Sequence, residues 1–314
     1  MRKAFRLLTI YAVVVIVCFT ILLSGIGSIL SNDSIYKTPP DRPILLIGAS
    51  QTAYGVNDSF VHNIYNLSSP GDAFVYTYFK LRKVLPLNPQ IKTVVLSVSE
   101  QLITKRLADL WLRNENFVNI KSLSYFHLVD LKQLGFSFVH NPEQVIKDFV
   151  SIPKAKSGLC VDILKHKNVT IQDLQLGGYE VEKANIVALK NRRTQTEETP
   201  AAKKNRQDIA DMYAADPMPV SDWQIEYLRK IVDFCKERNV KIIFLRTPEH
   251  PTWEAKNEKI FMDLLHNDFS TVPFIDCRNM PFPDTCFTDL VHINYYAAKP
   301  FADSVERLIQ EQLK

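Results

Sequence analysis

Three side chains with the chemistry of a serine-dependent catalytic site occur at two distant places in the 314-residue sequence. Ser50 lies in Gly48-Ala49-Ser50-Gln51, directly after a short apolar run, and Asp289 and His292 lie three residues apart before a C-terminal amphipathic pattern. Serine is a weak nucleophile until a base accepts its proton, and that base needs an orienting group. The carboxylate of Asp289 can hold one imidazole N–H of His292 and leave the other ring nitrogen free as the base.

The elements that must bring these residues together alternate between apolar strands and amphipathic helices. Short continuous apolar runs are typical of strands buried on both faces of a parallel sheet. The predicted strands are 43–48, Ile64–Leu67, Thr93–Val98, Val240–Leu245 and Val272–Ile275, and the predicted helices are Ala73–Leu85, Trp223–Arg238, one around Ile260–Leu265, and one marked by Ala298 through Ile309, which Asn294 can cap. The alternation predicts an α/β fold with a doubly wound, mostly parallel sheet.

Residues just after the predicted strands are the candidates for a site, because ligands of open α/β sheets bind outside the carboxyl ends of the strands. Ser50 follows the first strand. The second is followed by Asn66-Leu-Ser-Ser-Pro-Gly71-Asp72 and the third ends in Ser97-Val-Ser99-Glu100. Other residues are interpreted as loop, packing or surface positions: Arg246, His250, Trp253, Tyr54, His62 and His127.

The middle of the chain breaks this regular pattern. From roughly Asp109 to Pro219 the sequence is irregular, which predicts an insertion within an α/β domain that spans 43–314. The polar and charge-rich piece Lys190–Gln207 indicates an exposed loop.

The N-terminus predicts a membrane anchor. Leu7–Leu30 contains no charged residue, and 24 helical residues extend about 36 Å, enough for a hydrocarbon core of about 30 Å. A cleaved signal peptide is the alternative, although an apolar region of this length exceeds the usual one. The basic residues Arg2, Lys3 and Arg6 precede the span, so the positive-inside rule predicts residues 1–30 as cytoplasmic tip and anchor, 31–42 as a linker, and a periplasmic or extracellular body.

Charge and cysteine content narrow the functional classes. The net charge is +4, and beyond the three N-terminal basic residues the chain has 35 basic and 34 acidic side chains. Nucleic-acid binding is therefore not expected, since it requires clustered Lys and Arg. Cys160, Cys235, Cys277 and Cys286 would lie outside the cytoplasm, where either disulfides or buried thiols are consistent with their spacing. They show no zinc-site spacing.

The order of these residues resembles the SGNH/GDSL hydrolase superfamily. Ser50 lies where that family has its nucleophile block after the first strand, and Asp289 and His292 match its final Asp-x-x-His block residue by residue. The resemblance implies a flavodoxin-like fold, an oxyanion hole formed by the backbone N–H groups of Ser50 and Gly71, and Asn66 or Ser99 as further donors. It covers about residues 43–100 and 240–312.

The N-terminal anchor is similar to that of the branch that includes DltD-like and alginate-acetylation proteins. That similarity implies a serine acyl esterase or O-acyltransferase that acts on a cell-envelope polysaccharide or glycan through an acyl-Ser50 intermediate. A multispanning membrane acyltransferase is an implied partner. No metal, nucleotide or other cofactor is required.

A second hypothesis is a catalytically inactive, membrane-tethered binding or scaffold partner of such an acyltransferase. Ala49 replaces the aspartate of the family's nucleophile block, and Ser97-Val-Ser99-Glu100 replaces Gly-x-Asn-Asp.

Overall fold

The structure is a computed structural model that describes residues 2–113, 121–180 and 218–314. Its centre is a five-stranded, all-parallel sheet in the order β2-β1-β3-β4-β5, the order found in flavodoxin-like doubly wound sheets. The strands are β1 (Ile44–Ile47), β2 (Ile64–Asn66), β3 (Thr93–Ser97), β4 (Lys241–Arg246) and β5 (Phe274–Asp276). The predicted α/β class and parallel sheet are therefore confirmed, with strand ends within two residues of expectation.

Helices cover both faces of this sheet. They are α1 (Arg2–Leu30), α2 (Ser50–Gly55), α3 (Phe74–Val84), α4 (Lys105–Arg113), α5 (Leu131–His140), α6 (Pro142–Leu164), α7 (Asp222–Glu237), α8 (Glu258–Asp268) and α9 (Tyr295–Leu313). Alternate strand residues enter two apolar clusters: Leu45 and Leu96 face the cluster with α3 and α7, whereas Leu46 and Val95 face the one with α9. Burial on both faces explains the unbroken apolar runs of the strands.

The described part of the middle region is helical up to Leu164, continues to residue 180 in turns and irregular chain, and packs against the sheet domain. Residues 121–125 are helical, and α5 and α6 follow them. Tyr125 and Ile152 have no exposed surface, and both belong to the larger apolar cluster. The segment 190–207, predicted as an exposed loop, lies outside the described residues.

The apolar helix α1 is long and apolar enough to cross a membrane, with a mean hydropathy of 2.7 over an 18-residue window; among the described residues it is the one helix that meets this criterion. Its C-terminal turns are part of the fold, because Ile26 and Leu30 are buried in the larger cluster. Tyr36, also buried, donates its hydroxyl to the Leu30 carbonyl at 3.1 Å.

The segment 31–42, predicted as a tether, is instead fixed to the domain. Thr38 donates its backbone N–H to the Asn88 side chain at 2.8 Å, and Lys83 binds the Ser31 carbonyl and the Asp33 carboxylate, each at 2.7 Å. Two of these three contacts use backbone groups of the segment, which the side-chain composition of the sequence does not reveal.

All five cysteines, each within the described residues, are thiols rather than disulfides. The four that follow α1 are buried. Burial raises the pKa of Cys235 and Cys277 to about 12, so these thiols are protonated and unreactive at neutral pH.

Candidate active site

Ser50 is placed by a tight turn between β1 and α2. The turn requires glycine at position 48, because a Cβ there would lie 2.3 Å from the Cβ of Ser97 on β3. Ala49 is in extended conformation and α2 begins at Ser50 itself. Ser50 is therefore at the carboxyl edge of the sheet, next to the point between β1 and β3 where the strand order reverses.

Asp289 and His292 lie in a hairpin that precedes α9. Phe287 and Ile293 form an antiparallel bridge, and the Thr288 N–H donates to the His292 carbonyl at 2.9 Å. Asn294 then caps α9 by accepting the Tyr296 N–H at 3.0 Å, which confirms the predicted cap. The hairpin fixes both side chains relative to the start of α9.

The structure brings the three predicted residues together. Ser50 Oγ lies 2.7 Å from His292 Nε2, and His292 Nδ1 lies 2.7 Å from Asp289 Oδ2. The other carboxylate oxygen of Asp289 accepts the backbone N–H groups of Val291 and His292, each at 2.8 Å. Residues separated by 242 positions in the sequence thus form one hydrogen-bonded chain.

The ionisation state of Asp289 determines the donor and the acceptor in each hydrogen bond of the Asp289–His292–Ser50 series. Burial alone would raise the pKa of Asp289, but the adjacent imidazole and the three hydrogen bonds outweigh it, and the net pKa is lowered below the ordinary 3.8. An ionised carboxylate accepts the Nδ1–H of His292, which leaves the Nε2 lone pair directed at Ser50 Oγ. The arrangement has the hydrogen-bond geometry that a serine nucleophile requires of a histidine base and an orienting carboxylate.

Tyr54, interpreted from sequence as a packing residue, packs on the imidazole itself. Its ring meets that of His292 edge-on, with centroids 5.6 Å apart. Four residues after Ser50 on α2, it shares the nucleophile's side of the helix. This spacing was the signal available in the sequence.

The loop after β2 lies beside the nucleophile turn. The Ser69 N–H donates to the Gly48 carbonyl at 2.9 Å, and the Asp72 N–H closes a turn onto the Ser69 carbonyl at 3.0 Å. Gly71 within this turn has a φ of 73°, a left-handed conformation that glycine adopts without strain. The predicted oxyanion glycine is thus on a loop bonded to the Ser50 turn.

The two further candidate donors differ. The prediction of Asn66 as an oxyanion donor is wrong for this structure, because both hydrogens of its side-chain amide are already donated, to the carbonyls of Thr52 at 2.9 Å and Val56 at 2.7 Å. Ser99 is buried after β3, and its hydroxyl has no hydrogen-bond partner among the described residues. Ser99 therefore keeps a donor available.

A buried ion cluster, which the sequence analysis did not find, anchors the loop that carries Gly71. Asp72 binds Lys121 Nζ at 2.5 Å, Lys80 Nζ at 2.9 Å and the Tyr125 hydroxyl at 2.7 Å. Lys121 also donates to Ser69 Oγ at 3.2 Å. Since Lys121 and Tyr125 come from the middle region, only the tertiary fold reveals their proximity.

A second buried cluster lies at the carboxyl ends of β3 and β4. Glu249 is 3.0 Å from the Arg278 guanidinium, and Arg246 binds Glu258 at 2.6 Å. Burial, reinforced by the neighbouring charges of Glu249 and Glu258, raises the pKa of Glu100 to about 8. Burial also raises the pKa of Glu249 to about 7, although Arg278 and Arg246 oppose it.

Comparison with known proteins adds little to this geometry. One family model, whose description gives no activity or substrate, matches residues 193–314. The match includes Asp289 and His292 but not Ser50, and it covers well under half of the chain. A search of curated proteins finds no match.

Proposed function

We propose that this protein is a membrane-anchored, extracytoplasmic serine acyl esterase or O-acyltransferase of the SGNH/GDSL type that acts on a cell-envelope glycan. The observation that carries the proposal is the chain from Ser50 Oγ through His292 to Asp289, with both links at 2.7 Å. The strand order and the position of Ser50 after β1 are consistent with the same superfamily.

The proposed reaction has two halves. Ser50 Oγ attacks the acyl carbonyl carbon while its proton passes to His292 Nε2. The carbonyl oxygen becomes an oxyanion, held by the N–H groups of Ser50 and Gly71 and by the Ser99 hydroxyl. When the C–O bond to the leaving alcohol breaks, His292 returns the proton to that alcohol, and an acyl-Ser50 ester remains.

The second half repeats these steps with another acceptor. His292 takes a proton from water or from a glycan hydroxyl, whose oxygen attacks the acyl carbon. The bond to Ser50 breaks and its hydroxyl is restored with the proton that His292 returns. Water gives hydrolysis and a sugar hydroxyl gives transfer, so the acceptor alone distinguishes esterase from transferase.

The membrane part of the proposal is supported by α1. Its length and hydropathy fit a single span, and the basic residues Arg2, Lys3 and Arg6 favour a cytoplasmic N-terminus. The C-terminal turns of α1 are packed into the domain through Ile26 and Leu30. Cleavage after the small residues Gly27 or Ser28 would remove Ile26, which is buried in the domain, so its burial favours retention of the helix over a signal peptide.

A labelling experiment tests the enzymatic assignment. We expect the full-length protein in detergent to react with a fluorophosphonate and to hydrolyse an acetyl ester, and Ser50→Ala and His292→Ala to lose both by at least about 10³-fold. Matched controls are Ser270→Ala and His266→Ala, at exposed positions on and after α8. Equal labelling of all five proteins would reject the enzyme and favour the scaffold hypothesis.

The same preparation distinguishes the two acceptors. Incubation with an acetyl donor and an oligosaccharide should yield acetylated sugar if the protein is a transferase, detected by mass spectrometry. Release of acetate with no acetylated sugar would assign it as an esterase.

A further inference from the structure

Large apolar side chains are exposed on α5 and α6. Outside α1, exposed residues of this kind are few in the described part of the chain, and most of them belong to these two helices. They are Leu131, Phe138, Val139, Ile146, Val150, Val161 and Leu164, with exposed fractions from 45% to 85%. Single exposed apolar residues are ordinary, but a concentration on one helical pair marks an interaction surface.

The exposed apolar residues of α6 lie along one side of the helix, a stripe that also includes the exposed Glu143 and Ser157. At 100° per residue, Ile146, Val150, Val161 and Leu164 fall within a sector of about 60° on the helix surface. Three exposed lysines, Lys147, Lys154 and Lys165, lie along one margin of this sector. An apolar stripe with adjoining basic residues is the pattern of helices that lie in a membrane interface.

The stripe belongs to the helix that packs against the C-terminal part of α1. In that part, Gly27 faces Phe126 and His127, each 3.7 Å from where a glycine Cβ would stand. The Tyr36 hydroxyl lies 2.6 Å from His127 Nε2 as well as bonding to Leu30. No free hinge therefore separates α1 from this side of the domain.

The length of α1 determines how deep in the bilayer its contact with the domain would lie. Its 29 residues extend about 43 Å, of which a hydrocarbon core takes about 30 Å. The C-terminal turns therefore lie in the headgroup region if α1 spans the bilayer. Because α6 contacts α1, its exposed stripe lies on the part of the domain that is next to the headgroup region.

We propose that the exposed apolar face of α5 and α6 is a second membrane contact, embedded in the outer surface of the bilayer that α1 crosses. Its occupant is lipid, with Lys147, Lys154 and Lys165 against anionic headgroups. The proposal shares the anchor α1 with the proposed function but does not depend on the chemistry of Ser50. The domain then lies on the membrane rather than standing off from it.

Site-directed spin labelling of the full-length protein tests this contact. Cys18 is the exposed native cysteine, so Cys18→Ser gives a background with buried thiols. Val150→Cys and Val161→Cys place labels on the stripe. Glu311→Cys is the control, at an exposed position on α9, which covers the opposite face of the sheet from the cluster containing Ile26 and Leu30.

In nanodiscs containing phosphatidylglycerol, we expect labels at 150 and 161 to collide several-fold more often with oxygen, which partitions into lipid, than with a water-soluble nickel chelate. The label at 311 should show the reverse. Replacing the three lysines by glutamate should reduce the difference at 150 and 161. Labels on the stripe that are as accessible to nickel as the control would overturn the proposal.

Another outcome would assign the face to a different occupant. If labels at 150 were shielded from both reagents and showed dipolar broadening between copies, the face would be an interface between two chains. Activity towards an acetyl ester is not part of either readout, so failure here leaves the test of Ser50 unaffected.

Discussion

The two ring nitrogens of His292 have different roles: Nδ1 donates its hydrogen to Asp289, and Nε2 accepts the hydroxyl of Ser50. Substitution of Asp289 or Ser50 separates the two contacts. Asp289 fixes Nδ1 at 2.7 Å and Ser50 presents its hydroxyl to Nε2 at the same distance. Asp289 is itself held by two backbone N–H groups, so its carboxylate has one orientation. The proposed base is thus oriented before any substrate binds.

Substitution Asp289→Asn should therefore impair the rate and change its pH dependence. We expect hydrolysis of an acetyl ester to fall by about 10²–10⁴-fold, because the amide does not fix the same imidazole tautomer. The acidic limb of the remaining activity should move to lower pH, since a neighbouring carboxylate favours the protonated imidazole. Rate against pH for the two proteins measures both effects, with exposed Asp284→Asn as the control.

Ser99 and Asn66 should give contrasting effects. Ser99→Ala removes a hydroxyl without a protein partner among the described residues, so we expect a rate loss of about 10–100-fold and little change in melting temperature. Asn66→Ala removes the side-chain hydrogen bonds to the carbonyls of Thr52 and Val56, of which Thr52 keeps its bond from the Val56 N–H, and should destabilise the fold by about 1–3 kcal/mol. Denaturation curves alongside ester hydrolysis distinguish the two; a stable, fully active Ser99→Ala would remove it from the oxyanion hole.

At the residue scale, the sequence was sufficient to predict that Ser50, Asp289 and His292 lie together, because their residue types and local spacing favour one hydrogen-bonded arrangement. It was insufficient for Asn66. Whether an amide has a free donor depends on which carbonyls lie near it, and the carbonyls of Thr52 and Val56 belong to a helix and turn that come earlier in the chain. Only the folded backbone supplies that information.

Among the elements, the loop after β2 depends on the middle region for its position. Asp72 is completely buried and is neutralised in part by Lys121, whose side chain is 3% exposed. Without Lys121 the loop that carries Gly71 loses a charged contact on Asp72 and a hydrogen bond to Ser69. The insertion is therefore part of the site's support.

Lys121→Met should destabilise the protein by about 2–3 kcal/mol, because Asp72 and Ser69 each lose a hydrogen bond to a charged donor, although Lys80 still compensates the Asp72 carboxylate. Tyr125→Phe, which removes a single 2.7 Å bond to Asp72, should reduce stability by about 1–2 kcal/mol. The matched control Lys299→Met breaks an exposed pair with Asp303 and should change stability by less than about 1 kcal/mol. Denaturant unfolding measures all three, and equal effects of Lys121→Met and Lys299→Met would contradict the prediction.

The sequence predicted the strands of the α/β alternation and the helices α1, α3, α7, α8 and α9, but not α2, α4, α5 and α6. The six residues of α2 are too few to show a period. On α5 and α6 the outward face carries residues such as Leu131, Val139 and Val150, so the apolar pattern does not mark one buried side. The exposed apolar residues that obscure the helical pattern of α5 and α6 are the same residues on which the proposed membrane contact rests.

Over the molecule as a whole, buried carboxyls make stability depend on pH. The pKa of Glu100 is raised by burial to about 8 and that of Glu249 to about 7. The folded state therefore keeps protons that the unfolded state releases near pH 4.5, and stability falls as pH rises from there to about 8. His127, whose pKa is lowered by burial to about 3, has the opposite effect between pH 3 and 6.5.

Above pH 6.5 the opposing effect of His127 is absent, so the contribution of the two carboxyls is tested best in the range between pH 6.5 and 8. We expect a loss of stability on the order of 1–2 kcal/mol across it, or several degrees in melting temperature. Glu100→Gln and Glu249→Gln should flatten this dependence, whereas exposed Glu254→Gln should not. Melting temperatures at five pH values give the slopes, and an unchanged slope in both variants would show that other groups determine it.

The hydrogen bond from Tyr36 to the Leu30 carbonyl helps to attach α1 rigidly to the domain. A transmembrane helix tilts when the hydrocarbon layer becomes thinner, and a domain that is rigidly attached to the helix rotates by the same angle. Under the proposed acyl chemistry, the height of Ser50 above the lipid would then vary with bilayer thickness, and membrane composition would determine which acyl donors reach it.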